Sequence, residues 1–368
     1  MSELDERFRA AALACDDTVV WHARRGPAET MTLLAAAAEE LGIDQWDRYG
    51  EDGAVGRLET DLAELLGKPA AVFFVSGVMA QQAVLRVWCE RRRSWRVALP
   101  DLAHQLRHET DGPRLLQRFR FEPLTEGWET ATADHLRKIP GVGDLAAAQL
   151  ELPLREAGCL LPSWEELTAF SAAARELGVP LHADGARLWE SQPHFDRPLP
   201  EITALFDSVY VSFYKGLRAM AGAAVVCDAG LAAELRAWRQ RMGGTLFAMT
   251  PYALSALVGL RDELPRVRES VAWAAELAKE LVDRGFRLQP DPPHTNTFLL
   301  FADGDPDTIS ERVVAFMEKQ RIAPCGRWRP ALAPGVAMTE VTIHAAALDK
   351  DPATVAGWYA GLVSADAG

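Results

Sequence analysis

The chain has 368 residues and a formal net charge of −13, with 49% hydrophobic and 25% charged residues, an ordinary balance for a globular protein. This length allows one or two sizeable hydrophobic cores. Basic residues gather in no stripe, which argues against nucleic-acid binding, and no apolar run approaches the length of a membrane span.

Cysteine is sparse, and its spacing argues against two kinds of site. The odd count and the lack of a Cys-x-x-Cys spacing disfavour both a disulfide framework and a zinc site. Unpaired thiols are typical of a reducing compartment, so we expect a cytoplasmic protein. The charged N-terminal residues contain no apolar segment of signal-peptide length. The cysteines are Cys15, Cys89, Cys159, Cys227 and Cys325.

Residues 1–45 are rich in helix formers, and we expect a helical arm that packs on a partner subunit.

The segment that follows residue 69 predicts an anion-binding turn. Ala70 to Ser76 is an apolar strand pattern, and Gly77 begins a helical pattern that runs to about Arg92. The free backbone N–H groups and the dipole of such a helix N-terminus favour an anion, and phosphate is the natural ligand.

Two patterns in the next segment have a functional and a structural interpretation. His104 and His108 are four residues apart, but Gln105 stands where the zinc-protease pattern needs a glutamate, so we expect no metal site. A histidine satisfied within the core is the alternative for His104. The stretch from Gly141 to Ala146 fits a dinucleotide fingerprint, but no buried strand precedes it, and we interpret it as a loop.

From residue 148 onward, strand and helix patterns alternate. Ala148 to Leu152 and Val179 to His182 are predicted strands, and Ser163 to Leu177 is a predicted helix with a capping box. The stretches Val209 to Tyr214 and Gly222 to Cys227 are further strands. Such alternation predicts an α/β fold with a mainly parallel sheet that is covered by helices.

A lysine and an aspartate follow two of these strands. Lys215 is flanked by apolar groups, and a desolvated amine has a lowered pKa and can attack a carbonyl. Asp184 comes just past a strand end, where open α/β sheets bind ligands. Each residue alone has a plain alternative, a surface lysine or a turn. Together they indicate pyridoxal 5'-phosphate (PLP) chemistry, in which a lysine holds the aldehyde and an aspartate keeps the ring nitrogen protonated.

The segments around these two residues resemble a known family. The HADGARL that contains Asp184 and the SFYKGL that contains Lys215 are similar to segments of the β-eliminating lyase and threonine aldolase family of PLP enzymes. The stretch from Tyr49 to Glu59, YGEDGAVGRLE, resembles that family's YGEDPTVNRLE. The resemblance implies the aspartate aminotransferase-type fold, with a three-layer large domain and a smaller α+β domain.

The resemblance also implies a division of the chain and an assembly. We expect the helical arm at residues 1–45, a PLP-binding large domain at residues 46–245 and a small C-terminal domain at residues 246–368. Relatives form homodimers or homotetramers with shared active sites, and the same is expected here. A small amino-acid substrate is the expected ligand besides PLP.

The family's site residues carry over to matching positions of this sequence. The residues implied as catalytic are Lys215, Asp184 and His104, of which His104 would stack on the cofactor ring. The residues implied to bind the cofactor are these three with Ser76, Gly77, Val78, Arg187 and Arg241. The residues implied to contact the substrate are Arg187, Glu109 and Tyr49, and Tyr49 would reach the site of a neighbouring subunit. An exposed arginine without a ligand is the alternative for Arg241.

Two positions near the expected site depart from the family pattern. Val78 replaces the threonine of the family's Ser-Gly-Thr-Met, so one side-chain hydrogen bond to phosphate is missing. After Glu151 the family has Asn-Thr-His, whereas this chain has Leu152, Pro153 and Leu154. A threonine-like substrate therefore loses the histidine expected near its hydroxyl.

A predicted strand near the C-terminal end of the chain also departs from the family pattern. Relatives carry an arginine here that helps to bind the substrate carboxylate, and the stretch from Thr339 to His344 has none. Glu340 would repel a carboxylate. Arg187 alone, or with Arg327 or Arg329, is the candidate replacement.

The expected reaction is cleavage of the Cα–Cβ bond of a β-hydroxy amino acid to glycine and an aldehyde, as in low-specificity L-threonine aldolases. One alternative is another PLP reaction of an amino acid, such as β-elimination, transamination or racemisation. The other alternative is a PLP-binding protein without catalysis.

Overall fold

The computed structural model describes residues 2–364 of the chain. Two compact units account for it. The larger unit is Arg25–Pro265, and the smaller unit combines the segment up to Arg24 with the segment that begins at Arg266.

The helices of the described residues are numbered along the chain. They are α1 (Glu3–Ala14), α2 (Pro27–Glu40), α3 (Gly53–Leu65), α4 (Gly77–Arg92), α5 (His104–Arg107), α6 (Gly112–Gln117), α7 (Ala133–Arg137), α8 (Trp164–Glu176), α9 (Leu188–Phe195), α10 (Leu199–Thr203), α11 (Ala229–Arg241), α12 (Thr250–Asp262), α13 (Val267–Val282), α14 (Pro306–Gln320) and α15 (Pro352–Val363). Single 3-10 turns lie at Val142–Asp144, Arg155–Ala157, Leu264–Arg266 and Ala345–Ala347.

The strands are numbered in the same way. They are β1 (Asp17–Thr18), β2 (Ala70–Phe74), β3 (Arg96–Leu99), β4 (Arg120–Pro123), β5 (Ala147–Glu151), β6 (Leu181–Gly185), β7 (Ser208–Ser212), β8 (Ala223–Cys227), β9 (Arg287–Gln289), β10 (Thr297–Asp303), β11 (Ile322–Ala323), β12 (Arg329–Pro330) and β13 (Val336–Thr342).

A seven-stranded sheet forms the centre of the larger unit. Its strand order is β2-β8-β7-β6-β5-β3-β4. Strand β8 is antiparallel to both of its neighbours, and the other paired strands are parallel. The predicted mainly parallel α/β sheet is therefore confirmed. The stretch from Gly141 to Ala146 forms a 3-10 turn before β5, in agreement with its interpretation as a loop.

Apolar side chains of the sheet pack against α4 and α11. In β2, β7 and β8, fully or almost fully buried residues alternate along one face, and branched residues of α4 and α11 cover them. Burial of this size is the dominant stabilising contribution to such a layer. Members of the cluster include Val72, Val84, Leu99, Val225 and Leu231.

The local signals for α8 and α4 agree with the structure. The Ser163 hydroxyl accepts a hydrogen bond from the backbone of Glu166, and the Glu166 carboxylate accepts one from the backbone of Ser163, as the capping-box spacing predicts. Helix α4 begins at Gly77 and ends at Arg92, where the strand-glycine-helix pattern predicted it.

The smaller unit has its own sheet and core. Four antiparallel strands pair in the order β12-β13-β10-β9, and β1 pairs with β11 in a separate parallel ladder. Helix α1 packs on α14, and α15 packs on α13 and α14. Buried aromatic residues, among them Phe298, Trp328 and Tyr359, fill the core of this unit.

The division into units differs from the boundaries expected at residues 45 and 245. Helix α12 packs on both α2 and α3, and the larger unit therefore extends over residues 25–265. The first segment, with α1 and β1, belongs with the C-terminal segment instead. Among the described residues, no helix combines the length and the apolar character needed to cross a membrane.

A buried polar network joins β6 to α4. Nε2 of His182 lies 3.0 Å from Oε1 of Gln81, and Nδ1 lies 2.9 Å from Oγ of Ser208. Nε1 of Trp88 donates to the same hydroxyl at 3.1 Å. The Gln81 oxygen accepts from Nε2, and Nδ1 also lies 3.2 Å from the Ser208 carbonyl oxygen. Burial disfavours the imidazolium more than this carbonyl favours it, so His182 is neutral. Burial lowers the pKa of His182 to about 3.

The neutral His182 predicts a pH-dependent contribution to stability. Between pH 3 and 6.5 the unfolded histidine binds a proton that the folded one does not, so the free energy of unfolding falls as the pH falls through this window. From pH 7 to pH 5 the loss due to this residue is about 2 kcal/mol. In urea unfolding at both pH values, a His182→Gln variant should lack this part of the loss. Equal losses in both proteins would show that His182 does not stay neutral.

Candidate active site

The topology brings the carboxyl ends of several parallel strands to one edge of the large sheet. Asp184 lies at the end of β6, and it is in register with Glu151 at the end of β5. Helix α4 starts just after β2, and α5 with His104 follows β3. Ligands of open α/β sheets bind at such an edge, so the fold itself gathers the predicted residues.

Lys215 lies in the connection between two antiparallel neighbours, β7 and β8. Ser212 at the end of β7 pairs with Ala223 at the start of β8, so the chain between them leaves and re-enters the sheet at the same edge. The connection is also closed by backbone hydrogen bonds from Phe213 to Gly222 and from Ala219 to Phe213. This hairpin keeps Lys215 at the carboxyl edge, beside Asp184.

Lys215 and Asp184 perturb each other electrostatically. Burial lowers the pKa of the Lys215 amine, and the negative charge of Asp184 opposes this effect. Burial raises the pKa of Asp184, and the positive charges of Lys215 and His104 oppose that shift. Oδ1 of Asp184 also accepts a hydrogen bond from the backbone of Ala186 at 3.1 Å. The site thus combines a readily deprotonated amine with a buried carboxyl group.

His104 is held against Glu109 beside these two residues. Its Nδ1 lies 3.4 Å from Oε1 of Glu109, whose side chain is fully buried. The hydrogen bond to Glu109 raises the pKa of His104, and burial opposes that shift. Gln82 donates to the other Glu109 oxygen at 3.1 Å, and Gln117 donates to Gln82 at 3.3 Å. This chain of side chains fixes the carboxylate that orients His104.

Two glutamines attach the segment of His104 to β5. Nε2 of Gln105 donates to Oε1 of Gln149 at 3.0 Å, and Nε2 of Gln149 donates to Oε1 of Gln105 at the same distance. Both residues are almost completely buried. The reciprocal amide pair satisfies one donor and one acceptor on each side, which sets the position of α5 on the sheet.

Glu151 is a buried carboxyl group within the same edge. Its oxygens accept hydrogen bonds from the backbone of His104 at 3.0 Å and of Arg155 at 3.2 Å. Burial, with a further contribution from the nearby charge of Asp184, raises the pKa of Glu151 to about 7. In the sequence this residue stood out only as a strand end, because neither its burial nor its two backbone donors can be read from a local pattern.

The start of α4 has the geometry of an anion site. Ser76 is the N-cap residue, and its side chain makes no capping hydrogen bond. The hydroxyl of Tyr210 on β7 lies where a Cβ at Gly77 would be, so only glycine fits there. Val78 is 42% exposed. The free N–H groups of this first turn are therefore available to a ligand.

Arg187 lies directly before α9, three residues after Asp184. Its Nε and Nη1 are buried, and neither has a hydrogen-bond partner among the described residues. Buried donors are rarely left unpaired in native proteins. An anion that binds the guanidinium would satisfy them.

Arg241 and Tyr49 lie on exposed surfaces. The Arg241 guanidinium stacks over the Trp238 ring, 4.9 Å from its centroid, whereas Arg239 is the buried arginine of α11 and donates to the Phe73 carbonyl at 2.7 Å. Tyr49 is 56% exposed and contacts Phe247 edge to face. The roles of these two residues in binding the cofactor or the substrate stay predictions.

The two arginines suggested from the late part of the chain lie in the smaller unit. Arg327 is ion-paired with Asp5 and with Asp307. Arg329 is exposed at the start of β12. Both roles as carboxylate ligands stay predictions.

A family model and curated relatives match this chain. The model, described as β-eliminating lyase, matches residues 25–304. A low-specificity L-threonine aldolase of Saccharomyces cerevisiae is 27% identical over 281 residues, which are 74% of this chain and 72% of the relative. The Escherichia coli K12 low-specificity L-threonine aldolase is 29% identical over 255 residues, 67% of this chain and 75% of the relative.

A solved structure matches nearly the whole chain. A protein from Listeria monocytogenes EGD-E, provisionally assigned as an L-allo-threonine aldolase, is 31% identical, with a TM-score of 0.89. The superposition covers 98% of this chain and 99% of that one. The family model spans well over half of the chain, and the chain therefore belongs to the β-eliminating lyase family.

Proposed function

We propose that this protein is a PLP-dependent lyase that cleaves the Cα–Cβ bond of a β-hydroxy amino acid to glycine and an aldehyde, as low-specificity L-threonine aldolases do. The observation that carries the proposal is the convergence of Lys215, Asp184 and His104 at one sheet edge. Family membership and the aldolase relatives support it.

The residues at this edge fit the cofactor. Lys215 would hold the aldehyde carbon, and Asp184 would hold the protonated ring nitrogen. The first turn of α4, with Ser76, Gly77 and Val78, suits the phosphate because its backbone N–H groups are free. Tyr210 lies so close to Gly77 that no side chain fits there, and the phosphate would contact these backbone donors. When bound, PLP supplies a ring that accepts the electrons of the broken bond.

The protein's own groups prepare for proton transfer. Burial keeps a larger fraction of Lys215 uncharged than in water, which favours attack by its amine. His104 would cover the cofactor ring, and with Glu109 behind it the imidazole accepts the hydroxyl proton of the substrate. This assignment suits a chain in which Leu154 stands in place of the second histidine of relatives.

Arg187 is proposed to bind the substrate carboxylate. The unpaired Nε and Nη1 support this role, since two N–H groups of a guanidinium match the two oxygens of a carboxylate. Arg241 stays a candidate for the cofactor phosphate, although its stacking on Trp238 favours an exposed structural role.

A second PLP reaction, β-elimination, is supported by one observation. Leu154 is 3% exposed and apolar at the position where relatives carry the histidine expected near the substrate hydroxyl. A site without that histidine has less to hold the hydroxyl for aldol cleavage. With L-allo-threonine as substrate, release of acetaldehyde and glycine favours the aldolase, and release of ammonia with a keto acid favours the eliminase.

We also propose a cytoplasmic homodimer or homotetramer. None of the five cysteines forms a disulfide among the described residues, which suits a reducing compartment. Large apolar side chains are exposed near Tyr49, namely Trp46 at 68% and Phe247 at 66%. Such a patch suits contact with a second copy.

Replacement of Lys215 by alanine tests the cofactor assignment. The purified wild-type protein with added PLP should have a near-visible absorption band that shifts with glycine and with L-allo-threonine. Lys215→Ala should lack this band and release no aldehyde, because no amine remains to hold the cofactor. Lys68→Ala, which removes another half-buried lysine, is the control and should keep the band. A band that persists in Lys215→Ala would contradict the proposal.

Removal of the Glu109 charge tests the role of His104. Without the hydrogen bond to the carboxylate, the pKa of His104 falls, so the acidic limb of the kcat/KM profile should move to lower pH in Glu109→Gln. Glu156→Gln is the matched control, because Glu156 lies 2.8 Å from the neighbouring His108. An acidic limb that is unchanged in Glu109→Gln, or equally shifted in the control, speaks against His104 as the base.

Arginine variants separate the substrate contact from the cofactor contact. Loss of a charged hydrogen-bond donor costs about 1.5–3 kcal/mol, so Arg187→Ala should raise KM for the amino acid by roughly 10- to 100-fold. Arg241→Ala should leave KM unchanged and tests its phosphate role through the Kd for PLP. An unchanged KM in Arg187→Ala would rule out its role.

A further inference from the structure

The carboxyl group of Glu190 is buried next to Lys215, and no other residue in the described part of the chain donates a hydrogen bond to it. Glu190 lies in the first turn of α9 and is 1% exposed. Both of its side-chain oxygens lack a partner among the described residues. A Cβ at Gly216 would collide with Oε1 of Glu190, so the carboxyl group lies directly against the residue that follows Lys215.

An unpartnered buried carboxylate is costly. Transfer of an ionised carboxylate from water to a protein interior is strongly unfavourable unless cations or donors compensate. The charged groups that act on Glu190 are Arg187 on its own segment and Lys215 across from it. Burial raises the pKa of Glu190, and this shift is opposed by the charge of Arg187, the backbone N–H of Glu190 itself and the charge of Lys215. The charge of Glu190 therefore depends on the positive charges of Arg187 and Lys215.

Binding of an anion to Arg187 changes the balance of charges around Glu190. Its Nε and Nη1 are buried and unpaired, like the Glu190 oxygens one helical turn away. When the carboxylate of an amino acid binds the guanidinium, the positive charge that favours ionised Glu190 is shared with a second anion. Two buried carboxylates next to one guanidinium do not both remain ionised without cost.

We propose that Glu190 takes up a proton when a substrate carboxylate binds Arg187. This inference rests on the proposed function, since it needs Arg187 as the carboxylate ligand. Glu190 is then a positioning residue, because it acts through Arg187 and Lys215 and does not touch the substrate. Amino-acid affinity falls as the pH rises, because the bound state holds one proton more than the free state.

Calorimetry of glycine binding tests the proposal. The PLP-loaded protein is titrated with glycine in buffers of different ionisation enthalpy, which gives the number of protons taken up per glycine bound. Wild type should take up more protons than Glu190→Gln, by up to about one. Glu176→Gln, an exposed glutamate on α8, is the matched control and should equal wild type. Equal proton uptake in wild type and Glu190→Gln would overturn the proposal.

Two further measurements test the proposal if Glu190→Gln does not fold, and the glycine titration of the wild type separates it from a failure of the proposed function. Glu190→Asp keeps a titrating carboxyl group and should keep the extra proton. Infrared difference spectra of the wild type should gain the carbonyl band of a protonated carboxyl group on glycine addition, and absence of that band overturns the proposal even if Glu190→Gln does not fold. No glycine binding to wild type would reject both the proposed function and this inference, whereas binding without extra protons rejects this inference alone.

Discussion

The active-site edge depends on the burial of opposite charges next to each other. Burial lowers the pKa of Lys215 and raises the pKa of Asp184, and each charge favours the charged form of the other. Glu151 adds a third buried group, whose two backbone donors favour the ionised form while Asp184 disfavours it. None of these residues has its charge state set by its own type alone. The protonation of the edge is a property of the group, as in other coupled sites.

The sheet topology makes this grouping possible. Six of the seven strands, all except β8, direct their carboxyl ends to the same edge. A helix that followed β7 directly would lead the chain away from this edge. Strand β8 prevents this, because it returns antiparallel beside β7 and starts at the edge where β7 ends. The single antiparallel strand is therefore the feature of the sheet that holds Lys215 within reach of Asp184.

Much of this architecture could be predicted from the sequence, for local reasons. Strands and capping residues follow short-range patterns, so the sequence predicts the strands near Asp184 and Lys215 and the start of α4 at nearly the observed positions. The larger unit's boundaries cannot be predicted in this way, because they depend on the packing of α12 on α2 and α3, from which it is about 200 residues distant in sequence.

The side-chain contacts of the site are harder to predict from the sequence, because they also depend on packing between distant segments. Arg239 and Arg241 are two residues apart, which is about 200° around a helix, so they point to different faces. The sequence does not reveal which face of α11 packs on the sheet, and the structure buries Arg239 and exposes Arg241. Glu190 has no signal at all, since its importance arises from contact with Gly216 across the fold. Local patterns locate strand ends, whereas burial and charge coupling require the assembled fold.

The reciprocal amide pair of Gln105 and Gln149 limits how this sequence can change over time. Each side chain supplies one donor and one acceptor to the other in a site closed to water. A change of either residue to leucine leaves one amide buried without a partner, whereas a simultaneous change of both to apolar residues of similar volume removes the need for a partner. Substitutions at these two positions are therefore expected to occur together. In an alignment of related chains, each position should vary, and the two should covary.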